Sequence, residues 1–139
     1  MKKIEILKEW LGLLIDRPYI PEKLKKAKGP FLLHISDTPE ETYKYIIKLI
    51  KNLNPKYIVH TGDLVDNIKL EINPWKIEVY KKFLGRFIPQ LEKFSRGGVY
   101  YAMGNHDEIE VVKEISKRGV VMVEGHIMIE GIQFYINHY

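Results

Sequence analysis

Asp37, Asp63, Asp66, Asn105, His106, Asp107 and His138 are the residues of this chain whose types and spacing could do chemistry. They fall in four short stretches: HISD at 34–37, GDLVD at 62–66, GNHDE at 104–108 and the terminal NHY at 137–139. Carboxylates, an amide and imidazoles suit Mn²⁺, Fe or Zn²⁺. The chain has no cysteine, which excludes disulfides, thiolate metal sites and cysteine nucleophiles. Each stretch also has an ordinary structural explanation. Thr38-Pro39-Glu40-Glu41 reads as a helix start, with Thr38 as N-cap, Pro39 at the first helical position and Glu41 closing a capping box. Gly62-Asp63 could be a turn with Asp63 as a cap, and Asp66-Asn67 a solvated loop. Gly104-Asn105 could be a turn, Asp107 an N-cap, and His138 part of a frayed end. The capping box leaves Asp37 without a task, and four coincidences of this type are hard to credit.

The elements that must position these groups alternate along the chain. Ile4, Leu7, Leu11, Leu14 and Ile15 recur at helical spacing, so an amphipathic N-terminal helix is expected to pack on the body. Lys23, Lys25, Lys26 and Lys28, between Pro21 and Gly29-Pro30, read as a basic linker. A buried strand is expected at 31–36, then a helix over 39–53 with Tyr43, Ile46, Ile47 and Ile50 on its apolar face, ended by Asn54-Pro55. A strand at 56–60 and a helix from Pro74 to about Phe94 follow, with a kink or break near Pro89. A strand at 98–103 and a helix near 108–118 come next. Strands near 120–123, 126–130 and 132–138, turning at Glu124-Gly125 and Glu130-Gly131, make an antiparallel meander. The class is α/β, and in such sheets ligands collect beyond the carboxyl ends of the strands. All four stretches lie at such ends.

Composition bounds the rest. A chain of 139 residues with 45% hydrophobic content fits one domain with a real core. No apolar run approaches the roughly 18–20 residues of a membrane span, so no membrane partner is expected and a soluble cytoplasmic protein is the default. The net charge of +4 is mild. It could steer an anionic substrate, but no aromatic residues interleave with the lysines as single-strand binding would want.

HISD, GDLVD, GNHD and a later strand-end histidine together resemble the calcineurin-like metallophosphoesterase superfamily. Its pattern is D-x-H, GD-x-x-D, GNH-D/E, a lone His and GH-x-H. The resemblance covers residues 31–139. It divides the chain into an N-terminal helix and basic linker (1–29) and a metallophosphoesterase-like domain (30–139). It implies a two-sheet sandwich flanked by helices and a site for one or two divalent ions, Mn²⁺ first, with Fe or Zn²⁺ as alternatives. By resemblance Asp63 bridges the metals, Asp37 ligates the first, and Asn105 and His138 ligate the second. His106 becomes the general acid for a metal-activated hydroxide, oriented by Asp107, while Asp66 supports its loop. His34 and His60, which precede their motifs inside strands, read as core or supporting histidines rather than ligands. His126 is set aside as the closing motif, because Met128 stands where its second histidine belongs.

Two departures qualify the implied activity, hydrolysis of a phosphate ester. Pro39 replaces the histidine of D-x-H, and no GH-x-H occurs before Tyr139. The sequence therefore reads as a fold lacking its C-terminal part, either a piece of a longer protein or a homo-oligomer through the C-terminal hairpin. A family member that binds metal weakly without hydrolysis is the alternative, and a non-catalytic nucleic-acid-binding module is a second.

Overall fold

Three of the first four strands are followed by a helix, and that alternation sets the architecture. In the computed structural model, which describes residues 2–14, 17–27 and 31–139, the helices are α1 (Lys2–Leu14), α2 (Glu22–Lys25), α3 (Tyr43–Leu53), α4 (Ile77–Phe94) and α5 (Ile109–Ile115). Strands β1 (Leu32–Ile35), β2 (Tyr57–His60), β3 (Gly98–Ala102) and β4 (Val120–Met122) form one parallel sheet in that order. Parallel strands laid down sequentially with right-handed crossovers put every connecting helix on the same face. That face carries the larger core, where Ile58, Val99 and Tyr101 meet Ile47 and Ile50 of α3, Leu84, Phe87 and Leu91 of α4, and Val112 of α5.

The opposite face is left for the end of the chain. Strands β5 (Gly125–Ile129) and β6 (Ile132–Ile136) form an antiparallel hairpin. Its Ile127, Ile129 and Ile136 pack on Val59 and Ala102, with Leu32, Tyr57, Tyr100 and Met122 around them. Strand side chains alternate faces, so Val99 and Tyr101 serve the helices while Tyr100 and Ala102 serve the hairpin. Glu130 and Gly131 turn the hairpin with φ of 50° and 77°, the left-handed pair that a two-residue turn requires.

Several expectations are corrected. Residues 120–122 are not the start of a meander: β4 is the parallel edge of the main sheet, paired with β3, and the chain changes sheets at 123–124. Helix α4 runs unbroken through Pro89. Helix α1 forms, but Ile4, Leu7 and Leu11 stay exposed. The Gly12 carbonyl accepts the Arg17 N–H at 2.7 Å. Part of the presumed linker is helical, since α2 carries Lys23 and Lys25, with Lys25 paired to Glu22 at 3.2 Å. Ile15, Lys28 and Gly29-Pro30 lie outside the described residues, as does the Leu14 side chain. Among the described residues no helix is long and apolar enough to cross a membrane.

Candidate metal centre

Strands β1 and β2 end side by side, and the chain continues their pairing past the ends. The Asp37 N–H donates to the Gly62 carbonyl and the Thr38 N–H to the Asp63 carbonyl, both at 3.0 Å. Asp37 and Asp63 have left-handed backbones, φ 50° and 51°. Such a conformation costs a non-glycine residue on the order of 1–2 kcal/mol and gathers at functional sites. One oxygen of each carboxylate and one ring nitrogen of His138 all lie within 4.8 Å of one another.

His138 follows β6 into this space. Its Nδ1 lies 2.7 Å from the Thr61 carbonyl. A carbonyl only accepts, so Nδ1 carries a proton, and in the neutral ring Nε2 is the nitrogen that offers a lone pair. Nε2 is 3.7 Å from Asp63 Oδ2. Two carboxylate oxygens and an imidazole lone pair that converge in this way form a donor set for a divalent cation. Two glycines permit the approach. A Cβ on Gly104 would meet Asp63 Oδ1 at 2.3 Å, and one on Gly62 would meet the Gly104 nitrogen at 2.5 Å and His138 Nδ1 at 2.7 Å.

Beyond β3, Asn105, His106 and Asp107 take three different directions. The Asn105 Nδ2 donates to Glu71 Oε2 at 2.6 Å. The His106 N–H donates to Asp63 Oδ1 at 3.2 Å, while its ring is mostly enclosed. Asp107 accepts four hydrogen bonds. Its Oδ2 takes the N–H groups of Asp63 (2.7 Å) and Gly104 (2.8 Å), and its Oδ1 takes the Leu64 N–H (2.9 Å) and the Tyr80 hydroxyl (3.0 Å). Burial raises the Asp107 pKa, and those four donors work against the rise.

The family model described as calcineurin-like phosphoesterase matches residues 32–136. The chain belongs to the calcineurin-like phosphoesterase family. No curated protein and no solved structure matches it. Membership makes phosphate-ester hydrolysis its family-level activity and a divalent metal the implied cofactor, and the Asp37–Asp63–His138 donor set fits such an ion.

Within this phosphoesterase fold, some side chains do other work than their motifs implied. Asp107 does not orient the His106 ring, because both its oxygens are consumed in clamping the loops after β2 and β3. Nor does it cap α5, whose N-cap residue is Glu108 without a side-chain bond. The capping box at Thr38 does not form either. Thr38 is buried, and its hydroxyl donates to the Leu64 carbonyl at 2.9 Å and sits 2.9 Å from His60 Nε2. The helix start is instead a 3₁₀ turn at Glu40–Thr42, and the Glu40 N–H finds its acceptor in the side chain of Asn67 at 2.9 Å. A cap from the next loop outcompetes a local one because Thr38 is needed inside. Asp66 is ion-paired with Lys69, in keeping with a loop-supporting role. Asp66 raises the Lys69 pKa, first by its hydrogen bond, and the charges of Asp63 and Asp37 add to the effect.

His60 is fully buried, with Nε2 beside the Thr38 hydroxyl. His34 is exposed and bonds the Thr61 hydroxyl at 2.8 Å. Residues that the motifs do not mark include Thr61, Tyr80, Lys69 and Glu71. The last two lie in NIKLE, directly after GDLVD, where polar residues without a pattern give no signal.

Proposed function

We propose that this chain is a metal-dependent phosphoesterase that holds a divalent ion, Mn²⁺ by preference, through Asp37, Asp63 and His138, with Asn105 as a further ligand. The observation that carries the reading is the commitment of His138 Nδ1 to the Thr61 carbonyl, which makes Nε2 the nitrogen that faces Asp63. An ion held there supplies the Lewis acidity that lowers the pKa of a water and neutralises phosphoryl charge. The chain's own groups then have distinct tasks. Asp63 and Asp37 fix the centre, and the loop clamp of Asp107 keeps the Asp63 backbone in place. As oxygen from water bonds to phosphorus and the ester P–O bond breaks, His106 relays the proton that the water loses to the departing oxygen. The proposed substrate is a phosphate ester, with monoester and diester both within reach of this chemistry.

A second reading rests on Pro39. With proline in place of the histidine of D-x-H, the chain would hold an ion weakly and hydrolyse nothing. Calorimetric titration with Mn²⁺ and assays on p-nitrophenyl and bis-p-nitrophenyl phosphate separate the two. The phosphoesterase reading expects binding that Asp63→Asn abolishes and turnover that a chelator stops. Unchanged affinity in Asp63→Asn would sink the ligand assignment, and binding without turnover would favour the second reading.

A further inference from the structure

The buried ring of His106 has an unanswered donor. Its Nδ1 is shielded from solvent and has no hydrogen-bond partner among the described residues. Its Nε2 lies 3.4 Å from the Asn105 Nδ2. An amide nitrogen only donates, so this contact makes Nε2 the acceptor and places the ring proton on Nδ1. That proton needs a carboxylate, and Asp107 is fully engaged elsewhere. The carboxylate oxygen that faces it is Glu71 Oε2, at 3.8 Å.

The same oxygen already holds Asn105. A carboxylate cannot donate, so the Asn105 amide must turn its nitrogen to Glu71, which leaves Oδ1 as its free ligand atom. Glu71 thus fixes the orientation of one group and lies closest to the unmet proton of its neighbour. From this geometry we infer that Glu71 is the positioning residue of the site, which sets the ligand face of Asn105 and receives the Nδ1 proton of His106. The 3.8 Å separation closes to a hydrogen bond by a small rotation of the His106 ring or the Glu71 side chain. With Nδ1–H so held, the ring turns its Nε2 lone pair outward, where it can take the proton that the attacking water releases and pass it to the departing oxygen. Only the kinetic consequence rests on the phosphoesterase reading; the hydrogen bond does not.

The test uses the whole chain. Long-range ¹H–¹⁵N spectra of the metal-free protein at about pH 8.5, where an ordinary imidazole is neutral, report which ring nitrogen carries the proton, with His106→Gln assigning the signals. The parent should show the Nδ1–H form for His106. Glu71→Ala should lose that preference, and Glu71→Gln, which keeps an acceptor, should retain part of it. Glu71 is exposed, so thermal melts of both variants should match the parent. In the Mn²⁺-loaded enzyme, Glu71→Ala should lower kcat on an alkyl phosphomonoester roughly 10- to 100-fold and weaken Mn²⁺ binding about tenfold, with a smaller kcat loss on p-nitrophenyl phosphate. His106 signals in Glu71→Ala identical to the parent's would overturn the inference, whatever the kinetics. The expected spectral change in a chain that hydrolyses no phosphate ester would uphold the positioning role and reject the phosphoesterase reading.

Discussion

His106 stands one residue beyond Asn105 and is tied by its backbone to Asp63. If it supplies the proton to the leaving oxygen, His106→Gln should lower turnover by roughly 10²–10⁴-fold. The loss should be greatest for alkyl phosphates, whose alkoxides leave badly without a proton, and least for activated aryl phosphates. Steady-state kinetics on both ester types check this, and equal losses would make His106 a structural residue. At this scale the sequence was partly legible. Asp37, Asp63 and His138, which the structure brings together, could be singled out as candidates because donor residues for a metal are particular types at strand ends. Asp107 could not be read correctly, since a carboxylate beside a histidine looks the same whether it bonds that ring or three backbone N–H groups from two loops. Its role depends on how closely those loops approach, which Gly62 and Gly104 determine. Glu71 carried no signal, because its partners Asn105 and His106 are reached only through the fold.

Between residue and fold stands the join of β1, β2 and α3, organised around a histidine that stays neutral. The Gly62 N–H donates to His60 Nδ1 at 3.2 Å, which places the ring proton on Nε2, facing the Thr38 hydroxyl. Thr38 passes the chain of bonds to the Leu64 carbonyl, which the Tyr43 hydroxyl also reaches. Burial pushes the His60 pKa down to about 3, with the charges of His34 and His138 adding to the effect. The sign of the consequence follows. Above the ordinary histidine value near 6.5 both folded and unfolded chains hold His60 neutral. Below it, the unfolded chain takes up a proton that the folded chain refuses until about pH 3. Stability is therefore lost as pH falls through that window, by about 2 kcal/mol at pH 5 from this residue. Asp107, with its raised pKa, opposes the trend in acid, so the comparison is made against His60→Gln. Denaturant unfolding between pH 7.5 and 5 should show a shallower decline in that variant, and parallel declines would refute the assignment. The strands and helices here were readable from periodicity. The false capping box shows why their ends were not: Thr-Pro-Glu-Glu satisfies every local rule, and only the burial of Thr38 against His60 overrides them.

Across the whole molecule, the two faces of the parallel sheet are unequally covered. Three helices close one face, while among the described residues the core on the other face is built by the two-strand hairpin. Strand β6 is its outer edge, where Ile132 is 60% and Phe134 37% exposed, although both share the inward side with buried Ile136. Between this edge and β1 lies a groove of about 330 Å³ lined by Leu32, His34, Val59, Thr61, Phe134 and Ile136 among others. The α/β order and the sandwich could be anticipated from alternating strands and helices. The placement of β4 could not, since three residues of Val-Val-Met suit either sheet and only the pairing with β3 decides. An unpaired edge bearing apolar side chains invites another strand. We propose that a second copy supplies it, with two β6 strands antiparallel about a twofold axis. The two hairpins would then make one four-stranded sheet, with Ile132 and Phe134 covered. Sedimentation velocity at tens of micromolar protein should find a dimer. Ile132→Lys, which places a charge on the exposed edge without touching the core, should return it to a monomer with an unchanged far-ultraviolet spectrum. A parent that sediments as a monomer at every concentration would show that the edge is tolerated alone, and a dimer unaffected by Ile132→Lys would place the contact elsewhere, with the exposed apolar face of α1 the next surface to substitute.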